Sequence, residues 1–299
     1  MQDGLQVTHP VTAARVTQDA LLVLDAAGAA SLDDVAVSAV LAWLAGGRFE
    51  RVRRILLQAQ PAPALPLVAA RYVSWTGDLT TAAAAWQSVH AATGQLIENA
   101  SAAVDPERAW LRATTFVELQ RTAADLGDPM LAALLHRHAR GGPRPGSAAP
   151  FTGADPLAEA AAAVLQIVHA TLGIEPDATR HRLRLAPRMP VEPQRFAARG
   201  IRFGDGSVAF DAQSEQTEKG GCYTFRVGQD SGAIPLTVLL EPLVRGTLTA
   251  ACVDGKAAEL TPRAVDRGTI VPVQLVLDEE RTLTLMTEPV EDDEGRPRG

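Results

Sequence analysis

Residues 164–190 read VLQIVHATLGIEPDATRHRLRLAPRMP, and the hydrophobic period changes in the middle of them. Before Gly173, Leu157, Ala161, Val164, Leu165, Val168 and Leu172 fall three or four apart, one stripe of a helix. After it, His181-Arg182-Leu183-Arg184-Leu185 alternates polar and apolar, the period of a strand. One glycine therefore separates a helical part of the chain from a stranded part.

The same division holds on both sides. Over residues 11–173 apolar side chains recur at helical spacing; over 174–286 they alternate, or run in short bursts between Gly and Pro. Helices first and strands second predict an α+β protein, because βαβ units would interleave the two.

Helix ends are written in the sequence. Ser31 and Asp34 frame a start before LDDVAVSAVLAWLA, and Gly46-Gly47 supplies the stop. A short helix follows over 49–58, and Pro61 and Pro63 cut it off. The next spans about 65–75, with Gly77 suited to the left-handed residue that ends it. Asp78 or Thr80 then caps the helix that carries Trp86. Asp105-Pro106-Glu107, Asp128-Pro129 and Asp155-Pro156 each put a capping acid before a first-turn proline. About eight helices joined by short loops predict antiparallel helical hairpins.

The expected layout is a helical-hairpin region over 11–140, a flexible connection over 141–153 and a last helix over 154–173. A β-sandwich over 174–288 and a disordered polar tail over 289–299 complete it. Gly204-Asp205-Gly206 and Asp254-Gly255 are its hairpin turns, since Asp and Gly accept positive φ.

Composition narrows function. The chain has 299 residues, 28 basic against 35 acidic, and only Lys219 and Lys256 among the bases are lysine. The arginines are spread out, so no nucleic-acid partner is expected. No stretch of about 18 apolar residues occurs, so no membrane span is expected. The first 18 residues lack a basic segment followed by an apolar run, and Cys222 and Cys252 are the only cysteines. Both point to the cytoplasm rather than to a secreted disulfide framework. His136 and His138 lie two apart on a helix and face different sides, so no metal site is expected there, and no cofactor. Arg180, Arg182, Arg184 and Arg188 alternate along the expected first strand and read as a solvated face.

Several segments, in their order along the chain, resemble six-hairpin glycosidases. They are LAGGRFERVRRILL (44–57), PLVAARYVSWTGDLTTAAAAWQSV (66–89), VELQRTAADLGDPMLAALL (117–135), and the 164–190 stretch followed by GIRFGDGSVAFD (200–211). The likeness is to the glycogen-debranching and glucoamylase-like families and covers most of residues 19–288. It implies an (α/α)6 toroid, here abbreviated, with a C-terminal β-sandwich, and an oligosaccharide as ligand.

The resemblance also locates what is missing. The family's Trp-x-Arg-Asp motif falls on Ser31-Leu32-Asp33-Asp34, so only Asp34 matches a sugar-binding acid. The long segment that bears the general acid is reduced to GQLIENASAAV (94–104), with Glu98 as its one acid. Hydrolysis of a glycoside needs two carboxyl groups across the bond. Asp34, Glu98 and Glu107 are the catalytic candidates, and they form no convincing pair. The sugar-binding candidates are Asp34, Trp75, Trp86 and Trp110, although aromatic rings at a helix corner are more often packing.

Three functions follow as expectations. The first is a catalytically degenerate relative that binds sugar or accompanies an active enzyme, with a protein partner or a second copy beside it. The second is an active α-glucan hydrolase. The third is a helical interaction scaffold with no sugar role.

Overall fold

The computed structural model describes residues 6–8, 19–20, 22–23, 25–26, 37–98, 106–141, 156–188, 195–217, 220–266 and 268–289. The protein is α+β, with helices followed by a β-sandwich, and it divides into two compact units. The helical unit comprises the described residues of Thr17–Gln166 together with Asp177–Arg180. The sandwich unit comprises those of Met1–Val16, Ile167–Pro176 and His181–Gly299. Most of the expected linker and tail, residues 142–153 and 290–299, lie outside the described residues, as does the proposed Ser31–Asp34 helix start.

Besides helical residues at 19–20, 22–23 and 25–26, the described helical unit has α1 (Val37–Ala45), α2 (Phe49–Gln58), α3 (Leu65–Thr76), α4 (Leu79–Glu98), α5 (Pro106–Asp125), α6 (Pro129–Gly141) and α7 (Pro156–Leu165). α1 is buried from Ser38 to Ala45, as a helix apolar on every side must be. α3 is buried along most of its length and packs on α1, α2, α4 and α5, while α1 packs on α7. These two alanine-rich helices are the interior, and small side chains let their neighbours approach closely.

Gly77 ends α3 at φ 71°, and its N–H donates to the Val73 carbonyl at 2.8 Å. Gly127 takes the same left-handed conformation, φ 76°, between α5 and α6. A π-helical turn, Gln166–Thr171, continues α7 before Gly173 reverses the chain at φ 58°. The period change at Gly173 is thus a real change of structure.

The sandwich unit pairs two sheets. The larger has the order β1–β4–β5–β6–β14–β9–β10, from Gln6–Thr8, Arg195–Phe203, Gly206–Thr217, Gly220–Ser231, Arg281–Glu288, Thr247–Val253 and Lys256–Ala257. The smaller has the order β13–β7–β3–β2, from Val273–Leu277, Leu236–Leu240, Arg182–Leu185 and Glu175–Asp177. Three short strands, β8 (Leu243–Val244), β11 (Arg263–Val265) and β12 (Gly268–Ile270), form a third sheet. Alternate residues of β5, β6 and β14 turn inward, and Phe210 stacks on Phe225 with ring centroids 6.4 Å apart. Both expected hairpin turns form: Gly204 has φ 57°, and Asp254 and Gly255 have φ 51° and 75°.

Three features differ from the sequence expectation. Gln6–Thr8 is an edge strand of the large sheet, with Val7 opposite Ala198, although it carries too few residues to show a period. β3 and β7 run parallel, Leu183 opposite Val238, within a sandwich expected to be antiparallel. The arginine row is not one solvated face. Arg180 lies in a 3-10 turn and pairs with Asp125 at 2.9 Å and Asp177 at 3.2 Å. Arg184 pairs with Glu175 at 2.7 Å and with Glu241. Alternation showed the strand but not the acids that its neighbours bring.

Candidate functional site

The corner between α3 and α4 gathers the polar groups of the ARY…TGD segment. Tyr72 on α3 donates its hydroxyl to Asp78 Oδ2 at 2.9 Å. Thr81 on α4 donates its backbone N–H to Asp78 Oδ1 at 3.0 Å and its hydroxyl to Oδ2 at 2.6 Å. Arg53 of α2 reaches the Thr81 hydroxyl at 3.2 Å and stands 4.0 Å from Asp78. Asp78 is therefore the N-cap of α4 and a knot for three helices.

The electrostatics follow from this geometry. Burial disfavours the Asp78 carboxylate, but donors from Thr81 and Tyr72 and the charge of Arg53 outweigh it and hold the group below its usual range. Burial, with the Asp78 hydrogen bond, pushes the Tyr72 phenol up to about 12. A general acid needs the opposite, a carboxyl raised toward neutral pH.

A second cluster stands where α4 meets the start of α6. Asp128 caps α6 by accepting the Leu131 N–H at 3.0 Å. Its other oxygen accepts Trp86 Nε1 at 3.3 Å and lies 3.3 Å from His90 Nε2. Trp86 and His90 are one helical turn apart and meet edge to face, centroids 6.5 Å apart. The Leu131 N–H is the main cause that holds Asp128 low; burial opposes it, and Trp86 and His90 assist. His90 is about half exposed and Trp86 partly so, and the cluster therefore lies at the surface. The sequence carried the signal, since Trp86 and His90 share a face and Asp128 was already the cap.

The remaining candidates are dispersed. Trp75 is 2% exposed and is a packing ring with no face open to a ligand. Glu98 is exposed at the C-terminal end of α4. Glu107 and Trp110 lie on the first turns of α5, and their side chains lie outside the described residues. Asp34 lies outside them altogether. Glu118 on α5 pairs with Arg71 on α3 at 2.8 Å, and both side chains are largely buried.

His136 meets Gln120 at 3.3 Å, and His138 lies against Phe116. Among the described residues no group of three His, Cys, Asp or Glu side chains is placed to hold a metal ion. No helix among them is long and apolar enough to cross a membrane.

No protein-family model and no curated protein matches the chain in sequence. In structure it is similar to the α-L-rhamnosidase from Dictyoglumus thermophilum, with a TM-score of 0.64 at 7% identity, over 95% of this chain and 50% of that one. The chain thus spans about half the length of that enzyme. The native α-L-rhamnosidase from Aspergillus terreus aligns with a TM-score of 0.28 at 9% identity, over 72% of this chain and 30% of that one, too low to speak for a common fold. The first likeness is one of fold alone.

Proposed function

We propose that this is a carbohydrate-metabolism protein related to six-hairpin glycosidases, catalytically degenerate, which holds a saccharide alone or beside an active enzyme. One observation carries the reading. Nearly the whole chain runs as a glycosidase does, yet Asp78 and Asp128 in its helical unit are held ionised by capping and scaffold donors. Glu118 is neutralised by Arg71, and Asp125 by Arg180. Carboxylates used this way hold helices together and do not move protons. Among the candidates whose side chains are described, Trp86 is a partly exposed ring, and a CH-rich sugar face packs on such a ring. Two half-buried free thiols, Cys222 and Cys252, suit a reducing cytoplasm.

Calorimetric titration with maltotriose and with methyl α-L-rhamnoside tests this reading. Binding without release of free sugar is the expected result. Binding with turnover would make the chain an active hydrolase. Neither binding nor turnover would leave the helices as an interaction scaffold and end the proposal.

A further inference from the structure

The sandwich unit has a shallow, solvent-open cleft of its own at the β4–β5 hairpin tip. Its floor is apolar, formed by buried Phe203, Val208 and Leu236. Its rim is polar and carries His181, Asp205 and Ser231. One wall is Ile234, 52% exposed, whose carbonyl accepts the Gln229 side-chain N–H at 3.1 Å.

One rim residue is held by its backbone. His181 is a non-glycine residue at φ 49°, a strained conformation for a residue with a Cβ. Its carbonyl is pinned by the Thr237 N–H at 3.0 Å, which fixes the backbone and leaves the ring to the rim. Among the described residues neither the His181 ring nor the Asp205 carboxylate has a bonding partner. Ser207 and Ser231 join their hydroxyls at 3.0 Å beside them.

The composition of the cleft selects its ligand. No Lys or Arg lines it, so an anion gains nothing there. One carboxylate and one imidazole are too few donors for a metal centre. An apolar wall and floor below a rim of carboxylate, imidazole and hydroxyls suit a neutral polyhydroxylated ring. CH groups of such a ring would rest on Ile234, and its hydroxyls would donate to Asp205 and exchange hydrogen bonds with His181 and Ser231. We infer that this cleft is a saccharide-binding subsite on the β-sandwich. The inference rests on the proposal that the chain binds saccharide, and it adds a place remote in sequence from Trp86.

The test is a titration of ¹⁵N-labelled protein with methyl α-L-rhamnoside and with maltotriose, read by amide shifts. Gly204, Asp205, Ser231 and Gly232 are expected to move. His181→Gly relieves the positive φ, so its thermal midpoint stays near wild type, while about tenfold more sugar is needed to move those amides, the loss of one hydrogen bond of about 1.4 kcal/mol. Asp205→Asn, which an Asp-Gly turn tolerates, is expected to weaken the same shifts. Sugar that moves only amides around Trp86, or binds both variants like wild type, overturns the subsite and leaves the proposed function standing. No shift anywhere overturns both.

Discussion

Tyr72 and Asp78 are joined across the Gly77 corner: the phenol donates to Oδ2 at 2.9 Å, from the helix before the reversal to the cap of the helix after it. The bond explains why aromatic and acidic residues crowd a single turn of an alanine-rich chain. It also sets a pH dependence. Asp78 is held below its ordinary value, so its contribution is present above the unfolded carboxylate pKa of about 3.9. That contribution is lost as the pH falls through the lower folded value. Tyr72 is raised to about 12, so its contribution is complete below the unfolded value near 10 and disappears as the pH climbs toward 12. Urea unfolding across pH 2.5–6 is expected to show a shallower acid limb for Asp78→Asn than for wild type. An identical limb would mean that Asp78 is not tied down as described.

Tyr72→Phe removes one donor and leaves Asp78 its Thr81 bonds. The expected loss is about 1 kcal/mol. Asp78→Ala removes the cap as well and is expected to lose about 1–2 kcal/mol or more. Equal losses in urea unfolding would contradict this ranking.

Two glycines rank in a defined order. At Gly77 a Cβ would meet Ala178 no closer than 3.5 Å, so only the positive φ is penalised and Gly77→Ala is expected to lose about 1 kcal/mol. At Gly173 a Cβ would lie 2.6 Å from the Ala186 carbonyl oxygen, so the backbone must move as well. Gly173→Ala is therefore expected to be the more damaging, and a reversed order of thermal midpoints would refute the geometry.

The tryptophans separate by burial. Trp75→Ala is expected to lose about 3–5 kcal/mol through the cavity it leaves. Trp86 is only partly buried, and Trp86→Ala is expected to lose less while weakening saccharide binding. Stability and binding measured on both variants check the split.

Much of this fold is legible in local sequence. Helix 49–58, the Gly77 stop, the Asp128-Pro129 start and the break at Gly173 all rest on neighbouring residues, where capping, φ preference and hydrophobic period act. What stayed hidden depends on residues far apart. Gln6–Thr8 pairs with a strand some 190 positions on, and three residues carry no period. Arg180 looked solvated until folding placed Asp125 beside it, 55 positions away. The site was less legible for the same reason. Trp75 and Trp86 are alike in sequence, and only packing buries one and leaves the other partly open. His181 gave no signal, because a positive φ at a non-glycine residue is not written in its neighbours.

Hydrolysis is the most direct test of the account. Pure protein incubated with maltooligosaccharides, glycogen and an aryl α-L-rhamnoside, with released sugar quantified, is expected to give no release above the buffer blank. Loss of a general acid alone lowers rates by about 10²–10⁴-fold. Robust release of sugar that is abolished by Asp34→Asn, Glu98→Gln or Glu107→Gln would contradict the account and identify the acid that it holds to be absent.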